Sequence, residues 1–200
     1  MHVSLRNSEG RNMFAVSEVE LKTGRIGAAY EDTRFLSEEG EWFVAGILDG
    51  LADGKLILYF KSCCTDLPLV MPMVCFTTLL FKQLSKITQL VPTINGYKRL
   101  VTGEAFWAPN AITYGYDSRA ASIRIISPPC STPSGTRLEI RVPGADMNPY
   151  YALSAIFSLG LRGIKKKLKL PCPPISECLE DKKNGKVVTH DIPSCEEQSR

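Results

Sequence analysis

The stretch Thr136-Arg-Leu-Glu-Ile-Arg-Val142 alternates charged and apolar side chains, one residue at a time. Successive residues of a β-strand point to opposite faces of a sheet. The charged and apolar side chains therefore fall on separate faces: Arg137, Glu139 and Arg141 on one, Leu138, Ile140 and Val142 on the other. The charged face has two interpretations. It is a solvated sheet face with weak salt bridges, or a cleft where arginines hold phosphate or carboxylate oxygens and the glutamate ligates a divalent cation.

A helix is predicted directly after this strand. Asn148 is a favoured N-cap residue and Pro149 suits the first helical position. Apolar residues then recur at helical spacing as one stripe: Leu153, Ile156, Phe157, Gly160, Leu161 and Ile164. We expect this stripe to be the buried face of the helix, which can pack on the apolar face of the strand.

The rest of the chain frames these two elements. Residues 1–53 read as a strand, a loop and a helix, the helix carrying apolar spacing from Trp42 to Leu51 after Ser37-Glu38-Glu39. Residues 92–142 read as strands and turns, with a β-type run from Ala121 to Ile126. Residues 171–200 carry prolines and charges without periodicity, which predicts an irregular or disordered tail.

Three more arginines precede the charged strand. Arg99 ends the run Asn95-Gly-Tyr-Lys-Arg99, and Arg119 and Arg124 flank a short predicted strand at residues 120–123. Arginines that converge around a carboxylate suit phosphoryl transfer, because cations must neutralise charge on the transferring group. This interpretation requires that the arginines meet in space.

Composition excludes several classes of function. The formal net charge of +3 is small, and no basic run is interleaved with aromatic residues, so we expect no nucleic-acid partner. Residues 67–81 are apolar but short and interrupted by Pro68 and Pro72, so we expect no membrane span. The seven cysteines form no CxxC pair and there is no secretory signal, which favours free thiols in the cytoplasm.

Five segments resemble motifs of the glutamine synthetase family, in the family's order. They are HVSL at 2–5, FLSEEGEWFVAGIL at 35–48, PTINGYKRL at 92–100, YGYDSRAASIRI at 114–125 and TRLEIRVPGADMNPYYALSAIFSLGLRGI at 136–164. The form GADMNPY at 144–150 is more typical of a broader group that includes γ-glutamylpolyamine synthetases. Agreement of several motifs in order is far more specific than any one of them.

The resemblance implies an α/β fold in which a curved, mainly antiparallel sheet lines a cleft and helices pack outside. Residues 1–170 would be the C-terminal part of the catalytic domain, and 54–91 an atypical segment, either a genuine insertion or translated non-coding sequence. The family uses ATP and Mg²⁺ or Mn²⁺ to phosphorylate the γ-carboxylate of glutamate, and ammonia or an amine then displaces phosphate. Homo-oligomers are expected for the intact family.

The resemblance also implies roles for residues at matching positions. His2 and Ser4 would contact ATP, and Arg124 would bind its phosphates. Arg99 and Arg141 would hold glutamate. Arg119 would be catalytic, touching glutamate, ATP and the transferring phosphate, with Arg137 as phosphate support. Glu139 would be a metal ligand.

Two departures from the family qualify the expected activity. The upstream acidic strands that supply most of the family's metal ligands are not in this sequence. Phe106-Trp107 precede Ala108-Pro109 where typical members carry a catalytic glutamate, which favours an acceptor other than ammonia, or weak activity. The alternative is a catalytically inactive fragment, or an interaction or structural relative of the family.

Overall fold

The computed structural model describes residues 1–53, 90–97, 109 and 112–176. Four strands and four α-helices lie within these ranges. In chain order they are β1 (His2–Val3), α1 (Glu20–Thr23), α2 (Glu38–Asp53), α3 (Ile94–Tyr97), β2 (Tyr114–Tyr116), β3 (Ile123–Ile126), β4 (Arg137–Ile140) and α4 (Pro149–Lys166). Single 3-10 turns occupy Glu31–Thr33 and Pro133–Gly135.

The four strands form one mixed sheet in the order β1-β4-β3-β2. The β1–β4 and β3–β4 pairs are antiparallel, whereas β2 and β3 are parallel. On β4, Leu138 and Ile140 are fully buried, and the charged side chains lie on the opposite, half-buried face. The predicted α/β class and the two-faced strand are therefore confirmed.

Helix α2 begins where the sequence predicts. The Ser37 hydroxyl accepts a hydrogen bond from the backbone N–H of Gly40 (3.0 Å) and donates one to the carbonyl of Met13 (2.5 Å). Glu38 and Glu39 lie in the first turn, where negative charge is favourable. The cap also joins the start of the helix to the loop after β1.

Helix α4 also begins at its predicted cap. The Asn148 side chain accepts from the backbone N–H groups of Tyr150 (3.0 Å) and Tyr151 (3.5 Å), and Pro149 follows it in the first turn. The helix ends at Lys166, and Lys167 follows as its C-cap with a left-handed φ of 49°. At the start of the helix, the Asn148 side chain thus gives a partner to two N–H groups that have none within the helix.

The buried face of α4 differs from the predicted stripe. Leu153 and Leu161 are 38% and 46% exposed, so this part of the prediction is wrong. The buried residues are mostly small: Ala152, Ala155, Ile156, Leu159, Gly160 and Gly163. Small residues lie inside because the backbones of α4 and α2 cross at very short range. A Cβ built on Gly163 would lie only 2.0 Å from the carbonyl oxygen of Trp42. The helix therefore buries its small residues, which allow the two backbones to approach closely, and leaves Leu153 and Leu161 exposed.

Two local predictions between residues 92 and 142 are also wrong. Residues Ile94–Tyr97 form a helical turn rather than strand and turn, because the Thr93 hydroxyl accepts from the backbone N–H of Gly96 (3.2 Å) and so caps it. Strand β3 begins at Ile123, so Arg124 lies within it and Arg119 lies in the preceding turn.

The predicted insertion and tail lie largely outside the described residues. Of residues 54–91, Leu90 and Val91 are described, and both are buried. Residues 171–176 have little regular structure, and the Ser176 hydroxyl donates to Asp32 (2.9 Å). In the described part of the chain, neither Cys130 nor Cys172 forms a disulfide. No helix there is both long and apolar enough to cross a membrane.

Candidate active site

A row of paired residues crosses the sheet on its charged face. Strand register places Glu139 of β4 between His2 of β1 and Arg124 of β3. Arg124 Nη1 donates to Glu139 Oε2 at 2.8 Å, and Arg141 Nε lies 3.8 Å from Glu139 Oε1. Each oxygen of this carboxylate therefore faces an arginine.

Asp117 holds the other side of Arg124. The Nε and Nη2 atoms of Arg124 donate to Asp117 Oδ1 at 2.9 and 2.5 Å. Asp117 directly follows β2 and has a left-handed φ of 47°, a conformation that aspartate tolerates better than most residues. Asp117 is not among the site residues predicted from the sequence; an aspartate directly after the run Tyr114-Gly-Tyr116 was the available signal.

The pKa values of these groups follow from the contacts. The hydrogen bond from Arg124 lowers the pKa of Asp117 against the opposing effect of burial, and the charge of Arg119 adds to the lowering. Burial alone would raise the pKa of Glu139, but Arg124, His2 and Arg141 outweigh it, so that this pKa is lowered too. The hydrogen bond to Asp117 in turn raises the pKa of Arg124. Both carboxylates are therefore ionised at neutral pH.

The outer end of the row is open to solvent. Arg137 donates from Nε to His2 Nδ1 (3.3 Å) and from Nη1 to the carbonyl of Gly135 (3.0 Å). His2 is exposed, and Ser4 is exposed just beyond the end of β1. The ATP-contacting residues predicted at this end are thus accessible to a ligand.

Most of the predicted site residues come together. The charged face and its margin carry His2, Ser4, Arg119, Arg124, Arg137, Glu139 and Arg141. Arg99 and the segment with Phe106 and Trp107 lie outside the described residues. Arg124 and Arg141, which come from two separate segments, therefore meet at Glu139, as the phosphoryl-transfer interpretation requires of them.

The described residues do not by themselves form a divalent metal site. Within them, no group of three or more His, Cys, Asp or Glu side chains could hold a metal ion. Glu139 offers one carboxylate, and both of its oxygens already face arginines. Because Mg²⁺ requires several oxygen ligands, the metal role of Glu139 stays a prediction and depends on further ligands.

Two grooves lie elsewhere in the described structure, and Arg25 lines both of them. One has a volume of about 630 Å³ and is lined by Arg11, Ser17 and Glu20 among others; the second, of about 430 Å³, reaches Lys169. Arg25 is 11% exposed, pairs with Glu41 and donates to the carbonyl of Leu36 (3.0 Å). The larger groove is lined by two arginines and three glutamates, and so has no excess of cations. We therefore place the candidate site on the charged face of the sheet.

Comparison with known proteins identifies the family of the chain. Residues 79–198, more than half of the chain, match the family described as glutamine synthetase, catalytic domain. The chain belongs to the glutamine synthetase family. The match begins before the Asn95–Arg99 motif and includes all of β2, β3, β4 and α4.

Two relatives each match less than half of the chain. Type-1 glutamine synthetase 2 of Dictyostelium discoideum is 48% identical over 84 residues, which is 42% of this chain and 15% of the relative. A glutamate–isopropylamine ligase of a Pseudomonas species is 46% identical over 85 residues, 42% of this chain and 17% of the ligase. The aligned part of this glutamine synthetase-family chain is thus less than a fifth of either relative's length.

The fold is similar to that of a solved family structure. GmaS in complex with ADP aligns with a TM-score of 0.58 over 96% of this chain and 33% of the GmaS chain. At 23% identity this likeness shows the fold alone.

Proposed function

We propose that the charged face of the sheet is part of the active site of an ATP-dependent ligase that joins glutamate to ammonia or an amine. In the reaction that the family resemblance implies, ATP phosphorylates the γ-carboxylate of glutamate and the amine nitrogen then displaces phosphate. One observation supports the proposal above all. The two carboxylates of this face, Asp117 and Glu139, interact with three arginines, Arg119, Arg124 and Arg141. A fourth arginine, Arg137, lies on the same face beside His2.

The excess of cations suits a polyanionic ligand. Phosphoryl transfer spreads negative charge over the oxygens of the transferring group, and fixed cations stabilise that charge. Arg124 has five N–H donors, of which three bind the carboxylates of Asp117 and Glu139. The two remaining donors are available to phosphate oxygens while the guanidinium stays held in place.

The other arginines differ in how accessible they are. Arg119 is exposed in the turn before β3, where a transferring phosphate could reach it. The Arg141 side chain is 11% exposed and lies between Glu139 and the carbonyl of Ala121, so a glutamate carboxylate would meet a cation that is already fixed. Mg²⁺ or Mn²⁺, when bound, would neutralise part of the phosphate charge.

The acceptor is proposed to be an amine larger than ammonia. Phe106 and Trp107 stand where typical family members have a glutamate. Without that carboxylate, this position offers no negative charge to an ammonium ion. A relative named for isopropylamine shows that the family includes ligases for larger amines.

The proposal is tested by calorimetric titration of the purified chain with ATP and Mg²⁺. We expect saturable, magnesium-dependent binding that weakens at least about tenfold in Arg124→Ala, since hydrogen bonds from a charged group contribute about 1.5–3 kcal/mol. Lys165→Ala is the matched control, because it removes one cation from an exposed position in the last turn of α4. Its affinity for ATP should stay at the wild-type value.

A folded chain that binds no ATP would contradict the proposal and favour the alternative, an inactive or purely structural relative. If ATP binds, ADP release should be measured with glutamate and each of ammonia, isopropylamine and a polyamine. Release stimulated most by ammonia would overturn the assignment of a larger amine.

A further inference from the structure

Arg124 is held by a carboxylate on each side, and one of these carboxylates has no role in the proposed reaction. We propose that Asp117 is a positioning residue for nucleotide binding, which acts by fixing the plane of the Arg124 guanidinium. This inference rests on the proposed function, since it assumes that Arg124 binds ATP phosphates. It adds a residue to the site rather than a new ligand.

The geometry of the contact supports a positioning role. Asp117 Oδ1 accepts from both Nε and Nη2 of Arg124, at 2.9 and 2.5 Å, and thus takes one edge of the guanidinium. Glu139 accepts from Nη1 at 2.8 Å on the other side. Two anchors on opposite sides fix the guanidinium plane, whereas either one alone would leave the side chain free to swing about a single contact.

Asp117 is itself held by contacts of its backbone and its side chain. Its backbone N–H donates to the carbonyl of Ile125 at 2.9 Å and so extends the pairing of β2 with β3 by one residue. Its second oxygen, Oδ2, lies 3.4 Å from the Cys130 thiol, and the Cys130 backbone N–H donates to the hydroxyl of Tyr116 (3.1 Å). These contacts fix the carboxylate, which can then orient the Arg124 guanidinium.

A competing interpretation predicts the opposite sign. If Asp117 only supplied negative charge near the site, it would repel ATP phosphates, and its removal would tighten ATP binding. If Asp117 positions Arg124, its removal weakens binding even though the site becomes more positive. The direction of the change therefore separates the two interpretations.

The backbone of Asp117 decides which variants are informative. At φ 47° an alanine is strained, whereas glycine and asparagine accept the left-handed conformation. Asp117→Gly removes the carboxylate without this strain. Asp117→Asn removes the charge but keeps a side-chain oxygen that can accept from Arg124.

The test measures the dissociation constant for ATP and Mg²⁺ in these variants, each in the wild-type and Arg124→Lys backgrounds. Lysine keeps the charge but lacks the planar fork that Asp117 orients. We expect Asp117→Gly to weaken binding about tenfold and Asp117→Asn about threefold in the wild-type background. In the Arg124→Lys background both effects should fall to twofold or less, because the two residues then no longer act together.

Three results would overturn the inference: unchanged binding in Asp117→Gly, tighter binding, or an equal loss in both backgrounds. Thermal melting of each variant identifies any that do not fold. If Asp117→Gly does not fold, the loss of ATP binding in Asp117→Asn is compared between the wild-type and Arg124→Lys backgrounds instead. A wild-type chain that binds no ATP would instead refute the proposed function itself. The two failures are therefore distinguishable.

Discussion

Replacement of Gly46 by alanine should destabilise the protein by forcing α2 and α4 apart. A Cβ built on Gly46 would lie 2.3 Å from the carbonyl oxygen of Leu159 and 2.8 Å from the Cα of Gly163. Real Cβ atoms essentially never come within 3.0 Å of such neighbours, so the helices must separate by at least about 0.7 Å. Both atoms belong to backbone and cannot rotate away.

The expected cost follows from two opposing effects. Overpacking a well-filled interior costs about 1–3 kcal/mol, and here the upper end applies because no side chain can yield. Alanine is the better helix former by about 1 kcal/mol, which offsets part of this cost. The net loss in the free energy of unfolding should be about 2 kcal/mol.

Urea denaturation followed by circular dichroism measures this loss. With a slope of about 1–3 kcal/mol per molar urea, the midpoint should fall by roughly 1 M while the slope stays unchanged. Ser154→Ala, at an exposed position of α4, is the control and should stay within about 0.5 kcal/mol of wild type. If the helices were not in close contact, Gly46→Ala would raise the midpoint through its helix propensity, and that result would refute the packing described for α2 and α4.

Three further outcomes are expected. Asn148→Ala removes the cap of α4 and should lower the free energy of unfolding by about 1 kcal/mol in the same urea assay. Arg25→Ala leaves the nearly buried Glu41 carboxylate without its cation and should lower the free energy of unfolding by about 2–3 kcal/mol. A loss below about 0.5 kcal/mol, roughly the value for an exposed ion pair, would contradict this. The folded pKa values of Asp117 and Glu139 lie below their ordinary values of 3.8 and 4.5, so the stability that they contribute is present above those values and is lost as the pH falls through the lowered ones. The free energy of unfolding should therefore be measured between pH 6 and pH 2. The double variant Asp117→Asn, Glu139→Gln should lose less stability in acid than wild type. Parallel curves of stability against pH would contradict the lowered pKa values.

Much of the charged face could be predicted because its pattern is local. The period of two in Thr136–Val142 was sufficient to separate Arg137, Glu139 and Arg141 from the apolar side chains. The starts of α2 and α4 were also local, because a single cap residue, Ser37 or Asn148, fixes each.

Other features depended on partners far away in the chain. The pairing of β1 with β4 joins residues more than 130 positions apart, and nothing in either strand specifies the other. The outward position of Leu153 and Leu161 depends on the glycines of α2, which allow the helices to approach along a face of small residues. Asp117 was missed because its role depends on a left-handed backbone that places its carboxylate beside Arg124.

A crystal structure of the chain with bound ATP and Mg²⁺ tests the central claim most directly. We predict phosphate oxygens within about 3 Å of the Arg124 guanidinium, on the charged face of the sheet and within reach of Arg119. Nucleotide bound instead in the groove beside Arg25, with the pair of Arg124 and Asp117 unaltered and remote from it, would contradict the placement of the active site.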